Sequence, residues 1–176
     1  MAQKQKPRDD FRIEPLTRAH DRAAFSCGNE ALDNYLKKQA SQDVAKRAAA
    51  CFVLTPDRKT VAGFYTLSQY SVDLVKLPKE IAAKLPKYPE VPAALLGRLA
   101  IGAEFRGWKL GEFLLLDALH RALRQSRQLA SAAVIVDARD EAARKFYLHF
   151  EFVPLPDIPN RLFLPMRTIE RLFPGA

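Results

Sequence analysis

The sequence predicts an α/β domain built on a mixed central sheet. Residues 131–138 form a continuous apolar run rich in β-branched side chains, which is typical of a strand covered on both faces. An amphipathic helical pattern lies on each side of that run, and a hairpin pattern lies nearer the N-terminus. Strands alternating with helices indicate an α/β fold, and we expect about six to seven strands flanked by about four helices.

Periodicity and turn residues predict elements in the order β-α-β-β-β-α-β-α-β-β. No repeat or interdomain linker interrupts this order. The predicted strands are 11–16, 48–55, 61–72, 93–101, 131–138, 151–155 and 161–166, and the predicted helices are 29–47, 110–127 and 140–150, with a short one at 79–84.

The N-terminal half contains a helix and a hairpin. Gly28-Asn29 is a helix start signal, and an apolar residue recurs at every fourth position after it. The turn residues at 56–60 separate two apolar runs, which predicts an antiparallel pair. The apolar helix positions are Leu32, Leu36, Ala40 and Val44.

The C-terminal half begins with a loop, because four prolines fall within residues 73–92. A strand follows at 93–101, and then a helix whose inner stripe is Leu115, Leu119 and Leu123. Asp140 caps the last predicted helix, and two short runs close the sheet as an antiparallel pair. The predicted polar face of helix 110–127 carries Asp117, His120, Arg121 and Arg124.

Length and composition narrow the class of protein. The 176 residues suffice for one domain, expected at 11–176, and the basic residues 1–10 are expected to form a disordered tail. No apolar run approaches the roughly 20 residues of a membrane span, and the polar N-terminus does not resemble a secretory signal. Cys27 and Cys51 are too few for a disulfide scaffold, so we expect buried thiols and a cytoplasmic location.

The net charge of +8 bears on partners. A strongly basic surface favours nucleic acid, acidic proteins or phosphate-rich cofactors, and it repels polycationic substrates. A merely basic cytoplasmic protein is the alternative. The histidines at 20, 120 and 149 lack metal-ligand spacing, so the sequence predicts no metal site and favours structural roles for them.

The loop Arg106-Gly107-Trp108-Lys109-Leu110-Gly111 joins a predicted strand to a predicted helix. Such a loop presents unpaired N–H groups at the positive end of a helix dipole, which favours an anion. Its glycines allow close approach of a phosphate, and Arg106 and Lys109 add charge. Two glycines also precede many ordinary helices. This pattern alone therefore fits both a phosphate-binding loop and an ordinary helix start.

The surrounding motifs resemble the GNAT acetyltransferase superfamily. They are "LLGRLAI", "RGWKLG", "EFLLLDALHRAL", "AAVIVDA" and "DEAARKFYLHFEFVPL". The family's acyl-CoA loop, Arg/Gln-x-x-Gly-x-Gly/Ala, matches Arg106 to Gly111, and its A-x-x-F-Y-x-x-x-G-F helix matches Ala143 to Phe152. Lys109 and Glu151 stand where that pattern has glycine. The resemblance implies the GNAT fold and acetyl-CoA as the cofactor.

A narrower resemblance covers nearly residues 11 to 173. "FSCGNEALDNYLKKQASQD", "LLGRLAI" and "RLFLPMRTIERLF" are similar to the GNAT toxins of bacterial toxin–antitoxin pairs. That resemblance implies acetylation of the amino group of aminoacyl-tRNA, a ribbon-helix-helix antitoxin as partner, and a homodimer as an assembly to test. Two alternatives stay open: acetylation of a protein or small-molecule amine, and a non-catalytic GNAT-fold binding module, which the two missing glycines favour.

The resemblance also implies the site residues. Tyr147 is the expected proton donor, with a core aromatic beside Phe146 as the alternative. Backbone N–H groups of Leu99, Ala100 or Ile101 are the expected donors to the developing oxyanion. Lys109 either tolerates the backbone geometry and adds a cation, or weakens the site. The expected cofactor-binding residues are Leu99, Ala100, Ile101, Arg106, Gly107, Trp108, Lys109, Leu110, Gly111, Asp140 and Phe146.

The acceptor is predicted from charge and acid–base chemistry. An α-amine with a pKa near ~7.7 is substantially neutral without a base, whereas a lysine amine near ~10.4 usually needs one. Arg98 stands in the central strand at the position where an enzyme with a general base has Glu. Glu104, just before the loop, is the alternative candidate for a general base. Trp108 is either a lid over the loop or a packing residue. The basic residues expected to contact tRNA, unless they form plain solvated faces, are Lys37, Lys46, Arg47, Arg98, Arg121 and Arg124.

Overall fold

The computed structural model describes residues 8–176, so most of the expected tail at 1–10 lies outside the described residues. Arg8–Asp10 form one 3-10 turn, and Phe11 is buried. A seven-stranded mixed sheet follows in the order β1-β2-β3-β4-β5-β7-β6. The strands are β1 Arg12–Pro15, β2 Ala50–Thr55, β3 Gly63–Asp73, β4 Glu90–Ile101, β5 Ala133–Asp137, β6 Val153–Leu155 and β7 Ile158–Pro165.

The predicted α/β class and both predicted antiparallel pairs are confirmed. β2 pairs with β3 and β6 pairs with β7 in antiparallel fashion, whereas β4 and β5 run parallel. The described residues form five helical segments, of which the first is interrupted. The helices are α1 Glu30–Asn34 and α2 Ala40–Ala45 with a π-helical turn at Tyr35–Gln39 between them, α3 Lys79–Ala82, α4 Leu110–Ser126, α5 Glu141–His149 and α6 Met166–Leu172.

By its internal contacts the chain groups into two compact units. The first runs up to Ser68 and includes Arg98–Ala118, and the second comprises Gln69–Gly97 and Leu119–Ala176. Each unit has an apolar core of its own, as burial of contiguous apolar surface requires. The first core includes Phe25, Tyr35, Leu36, Cys51, Val53 and Phe64, and the second includes Val72, Leu77, Val91, Ile135, Leu155 and Phe163.

The N-terminal helix departs from the predicted regular stripe. Leu36 and Ala40 are fully buried, but Val44 is 38% exposed. The π-helical turn is the reason, since each π turn takes in one more residue than an α turn and rotates everything after it. Tyr35, the first residue of that turn, is also buried, although the fourfold pattern did not include it.

Helix α4 confirms its predicted inner stripe but corrects its polar face. Leu115, Leu119 and Leu123 are buried, as expected. Asp117, predicted on a solvated face, instead accepts a 2.6 Å hydrogen bond from the phenol of Tyr65, whose ring is fully buried. That carboxylate therefore satisfies a buried hydroxyl and does not simply face water.

Two C-terminal features differ from the prediction. β4 begins at Glu90 and takes in Pro92, which sequence reasoning had placed in the preceding loop. Helix α6 was not predicted; it follows Pro165 and buries Ile169. Its signal was the spacing of Met166, Ile169 and Leu172 on one face, a pattern too short to separate from a loop. No helix within residues 8–176 is long and apolar enough to cross a membrane.

Candidate active site

The loop between β4 and α4 carries unused backbone donors. In residues 8–176, no acceptor takes a hydrogen bond from the N–H groups of Gly107, Trp108, Leu110 or Gly111. These groups lie at the N-terminus of a 17-residue helix, whose dipole places partial positive charge there. The arrangement fits an anionic ligand, as the sequence predicted for this loop.

The residue that replaces a family glycine keeps a glycine-like backbone. Lys109 has φ 56°, in the left-handed region, and Gly107 has φ 84°. A lysine there carries a backbone strain that glycine avoids, yet the chain still adopts the turn. Lys109 therefore adopts a φ that glycine takes readily.

Arg106 is anchored outside the loop. Its Nη2 donates to the carbonyl oxygen of Cys27, in the segment that precedes α1. Gly28 has φ 82°, in the left-handed region that favours glycine, and an added Cβ would lie 2.8 Å from the same Nη2, so the end of the arginine side chain would have to shift. This contact fixes the first residue of the loop, and a role for Arg106 in binding phosphate stays a prediction.

Trp108 belongs to an aromatic cluster. Its ring lies 6.1 Å from that of Phe11 and 5.7 Å from that of Phe105, both in edge-on geometry. Phe11 and Phe105 are themselves 6.1 Å apart. Of the two roles left open by the sequence, these contacts favour packing, since edge-on aromatic contacts hold the half-buried indole against the fold.

The last residues of β4 extend past the parallel ladder. Ala94 to Leu96 pair with Val134 to Val136 of β5, and β4 then continues to Ile101. The backbone N–H groups of Leu99, Ala100 and Ile101 are therefore not used by the β5 ladder. Their predicted role as oxyanion donors is compatible with this geometry and stays a prediction.

Gly63 permits a close backbone approach beside that segment. A Cβ at position 63 would lie 2.8 Å from the carbonyl oxygen of Ala100 and 2.8 Å from Cδ1 of Ile101. Any side chain would push β4 away at the residues predicted to bind the acyl group. Glycine is thus needed here because there is no space for a Cβ. Its φ lies outside the left-handed region, so the backbone conformation does not itself require glycine.

Helix α5 positions Tyr147 through well-formed ends. Asp140 caps the start, its Oδ1 accepting from the N–H of Ala143 at 2.8 Å. At the other end Glu151 adopts φ 67°, again at a position where the family pattern has glycine. Both replaced glycines therefore retain the conformation for which glycine is usually selected.

Tyr147 is buried, with 7% of its surface exposed. The rings of Phe146 and Phe152 pack against it with centroids at 5.3 and 5.4 Å. Burial raises the pKa of Tyr147 to about 12, while the charge of Arg139 acts in the opposite direction. The phenol therefore keeps its proton throughout the physiological range and is a hydrogen-bond donor, not a base.

Arg98 contacts an aromatic ring. Its guanidinium lies 3.5 Å from the ring centroid of Tyr35, whose phenol donates to Asp43 at 2.8 Å. Burial raises the pKa of Tyr35, and its hydrogen bond to Asp43 acts in the same direction. Arg98 thus stacks on a residue of the π-helical turn, which is favourable for a cation on an aromatic face.

The other basic residues predicted to contact tRNA do not form one cluster in sequence or on one element. Lys46 and Arg47 are exposed at the end of α2, where Arg47 has φ 57°. Arg124 is exposed on α4, Arg121 is half-buried there, and Lys37 lines a pocket in the first unit. Their contacts with nucleic acid stay predictions.

The remaining candidates have structural roles. Cys27 and Cys51 are buried and form no disulfide, as predicted, and burial raises the pKa of Cys51 to about 12. His20 is hydrogen-bonded to Thr17 and to Glu14 of β1, and His120 packs 4.9 Å from the ring of Phe173. Across the described range of 8–176, no group of three metal-ligating side chains could hold an ion.

Comparisons with known proteins agree on one family. A model of the acetyltransferase (GNAT) family matches residues 13–152. The chain is 35% identical to a probable toxin TacT of Sinorhizobium fredii, covering 91% of this chain and 93% of the relative. It is also 35% identical to a tRNA-acetylating toxin of Mycobacterium tuberculosis, covering 89% and 93% respectively.

Two solved structures have the same fold. A tyrosine-to-phenylalanine mutant of KacT superposes with a TM-score of 0.87 at 30% identity, covering 93% of this chain and 99% of that one. AtaT complexed with acetyl-methionyl-tRNAfMet superposes with a TM-score of 0.86 at 31% identity, again covering 93% and 99%. These likenesses extend over nearly the whole length of both partners in each comparison.

Proposed function

The chain belongs to the GNAT acetyltransferase family, and we propose that it uses acetyl-CoA to acetylate the α-amino group of aminoacyl-tRNA. In this role it blocks translation as the toxin of a toxin–antitoxin pair. The observation that supports the proposal is the loop before α4, where four backbone N–H groups have no acceptor within residues 8–176 and Lys109 holds a φ of 56°. The likeness to tRNA-acetylating relatives over about nine-tenths of the chain supports the substrate class.

The thioester supplies an activated acetyl group, and the chain supplies binding and electrostatics. The loop N–H groups bind the pyrophosphate, because they are preorganised donors at a helix N-terminus. Backbone N–H groups of Leu99, Ala100 or Ile101 stabilise the oxygen charge that develops during acyl transfer, an effect worth ~3 kcal/mol per donor. Neither function depends on the side chain at the donor position.

Tyr147 acts as a donor to the departing sulfur. A phenol with a pKa of about 12 is a weaker acid than a thiol of reference pKa ~8.5, so complete proton transfer to the thiolate is unfavourable. A hydrogen bond from the phenol stabilises the thiolate charge without that transfer. Tyr147 therefore assists departure of the thiolate while water or the released ammonium proton completes the neutralisation.

The acceptor needs little help from a base. An α-amine with a pKa near ~7.7 is substantially neutral at pH 7, and β4 offers Arg98 and no carboxylate between Val91 and Ile101. Glu104 is exposed on a 3-10 turn outside β4. This favours an α-amine over lysine as the substrate.

The structure removes the reason for proposing a non-catalytic binding module. It rested on the replacement of two family glycines, and both Lys109 and Glu151 hold positive φ. The loop and the end of α5 thus keep the family's backbone, so the replacements are not evidence of a lost site. An enzyme acting on another amine remains the alternative that an experiment must separate.

The decisive experiment offers the purified protein a full set of tRNAs, each charged with its radiolabelled amino acid, together with acetyl-CoA. An N-acetylated aminoacyl product from at least one tRNA is expected, and Tyr147→Phe serves as the control for catalysis. Acetylation of lysine peptides or small amines with no product from any charged tRNA would replace the proposal with the alternative. Binding of acetyl-CoA is measured in parallel by calorimetry.

The proposal also implies partners and a location. A cytoplasmic toxin needs an antitoxin, and we propose a small ribbon-helix-helix protein, consistent with solved relatives described as bound to an antitoxin C-terminus. Co-expression of a short neighbouring reading frame should relieve growth arrest and co-purify with the protein. A homodimer is proposed for the free protein, and light scattering gives its mass directly.

A further inference from the structure

A surface pocket of about 550 Å³ lies within the first unit, formed by residues 18–23 together with Lys37 and Lys59. Its ionisable lining comprises four cationic side chains, one carboxylate and His20. Sequence reasoning had singled out Lys37 alone among the cations. The cationic residues come from three separate segments of the chain and are Arg18, Arg22, Lys37 and Lys59.

A buried histidine holds the first of these segments in shape. His20 is 4% exposed, and its Nδ1 accepts from the backbone N–H of Thr17 at 3.0 Å. Its Nε2 therefore carries the proton and donates to Oε1 of Glu14 at 2.8 Å. The loop carrying Arg18 and Arg22 is thus fixed to β1 by a fully bonded imidazole.

The turn carrying Lys59 is fixed as well. Asp57 accepts from the N–H of Lys59 at 2.9 Å and from the N–H and Oγ1 of Thr60 at 2.6 and 2.7 Å. The N–H of Asp21 donates to the carbonyl of Lys59 at 2.8 Å, which ties this turn to the loop. Two of the three segments are therefore joined by backbone bonds.

The third segment is the π-helical turn that carries Lys37. Arg22 reaches it with its guanidinium, donating to the carbonyl of Leu36 at 3.4 Å and to Oγ of Ser41. π-helical turns inside helices occur frequently at functional sites. Here the turn presents Lys37 to the pocket and keeps it beside Arg22.

The convergent charges are offset only in part, because one carboxylate faces four cations in the pocket lining. Across the described part of the chain, Arg18, Arg22, Lys37 and Lys59 make no ion pair, and the one lining carboxylate, Asp21, accepts from the N–H of Ala24 at 3.4 Å. Four like charges held in one pocket repel each other, and a bound anion relieves that repulsion. The rigid backbone means that little ordering cost accompanies such binding.

We propose that this pocket binds a backbone phosphodiester of the nucleic-acid substrate. The inference rests on the proposed function and names a specific anchoring point for its substrate. Arginine and lysine donors converging on one point suit a phosphate, whose accessible oxygens can accept from several donors at once. Such a contact positions the RNA without reading its sequence, so the pocket serves every acceptor tRNA equally.

The test compares two double variants of equal charge. Arg18→Gln with Lys59→Gln neutralises two exposed pocket cations, and Lys84→Gln with Lys87→Gln removes two exposed cations elsewhere. Affinity for uncharged tRNA is measured over a series of salt concentrations. The pocket variant should lower the log–log salt slope by about 1, since the pocket contacts one phosphate and each phosphate that the protein no longer neutralises reduces the slope by about one. The control variant should keep the wild-type slope.

Steady-state kinetics with charged tRNA complete the test. The pocket variant should raise KM for aminoacyl-tRNA with kcat unchanged, because the pocket acts in binding. An unchanged salt slope and an unchanged KM in the pocket variant would overturn the inference. It would also be overturned if the pocket variant bound tRNA as the wild type does but lost binding to an acidic peptide or to the antitoxin. Absence of acetylated product from the wild type would instead refute the proposed function, and the salt slopes with uncharged tRNA would still decide the role of the pocket.

Discussion

Replacing Glu151 by glycine should stabilise the protein, because the backbone at this position is left-handed. Its φ is 67°, directly after the C-cap of α5. The N–H of Glu151 donates to the carbonyl of Leu148 at 3.1 Å, and that of Phe152 donates to Tyr147 at 3.3 Å. This pair of bonds is the Schellman ending of a helix, in which glycine is the usual residue.

The expected magnitude follows from two opposed terms. An L-residue in the left-handed region costs about 1–2 kcal/mol, which glycine avoids. Glycine in turn loses about 0.5–1 kcal/mol more conformational free energy on folding. Glu151 is exposed, and its carboxylate makes no hydrogen bond or ion pair with any residue from 8 to 176, so no interaction offsets the gain. The net stabilisation is about 0.5–1 kcal/mol, or roughly 1–4 °C in Tm at this chain length.

Urea unfolding followed by circular dichroism measures this effect. The midpoint should rise with an unchanged m value, since the surface exposed on unfolding stays the same. Glu151→Ala is the matched control, because it removes the same carboxylate and retains the strained Cβ. A glycine variant no more stable than the alanine variant would refute the reasoning. Arg47, with φ 57° and the same pair of bonds at the end of α2, provides an independent repeat.

Three further predictions concern the proposed active site. Tyr147→Phe should lower kcat by roughly 10²-fold with little change in acetyl-CoA affinity, since it removes the donor and keeps the ring; wild-type turnover would leave Tyr147 as a core aromatic. Lys109→Gly should keep acetyl-CoA affinity, measured by calorimetry, within about threefold, because the backbone already has a φ that glycine accepts and any residue supplies the N–H groups. A tenfold loss shared by Lys109→Gly and Lys109→Ala, about 1.4 kcal/mol, would show instead that the cation is needed. Gly63→Ala should destabilise the protein by about 1–3 kcal/mol in urea unfolding, because its Cβ meets the Ala100 carbonyl oxygen at 2.8 Å; an unchanged midpoint would contradict that steric conflict.

The local elements of the fold were predictable because their signals are local. The inner stripe of α4, the cap at Asp140 and the turn between β2 and β3 all rest on residues close together in sequence. An apolar repeat of 3.6 residues in a helix, or of 2 residues in a strand, determines which face of the element is apolar. Turn residues restrict the backbone directly. The order of the seven strands along the chain followed from these signals alone.

Features that depend on distant partners were not predictable. The exposure of Val44 depends on a π-helical turn that no residue pattern announces. Asp117 looks like a solvated residue of an amphipathic helix, and only the position of the Tyr65 hydroxyl gives it a partner. Likewise Arg106 was expected at the phosphates, and its bond to the Cys27 carbonyl could not be read from spacing.

For the candidate site, the sequence by itself determined the type of chemistry and the residues of the loop, through a motif that tolerates two missing glycines. Whether the chain could still form that loop and the end of α5 was decided only by the tertiary structure, which holds Lys109 and Glu151 at positive φ. The physical reason is that a strain of about 1 kcal/mol at one residue is small against the packing energy of the surrounding fold. The pocket was likewise decided by the tertiary structure. Hydrogen bonds between a loop and a turn, not spacing along the chain, bring together the cations of the pocket, which are Arg18, Arg22, Lys37 and Lys59.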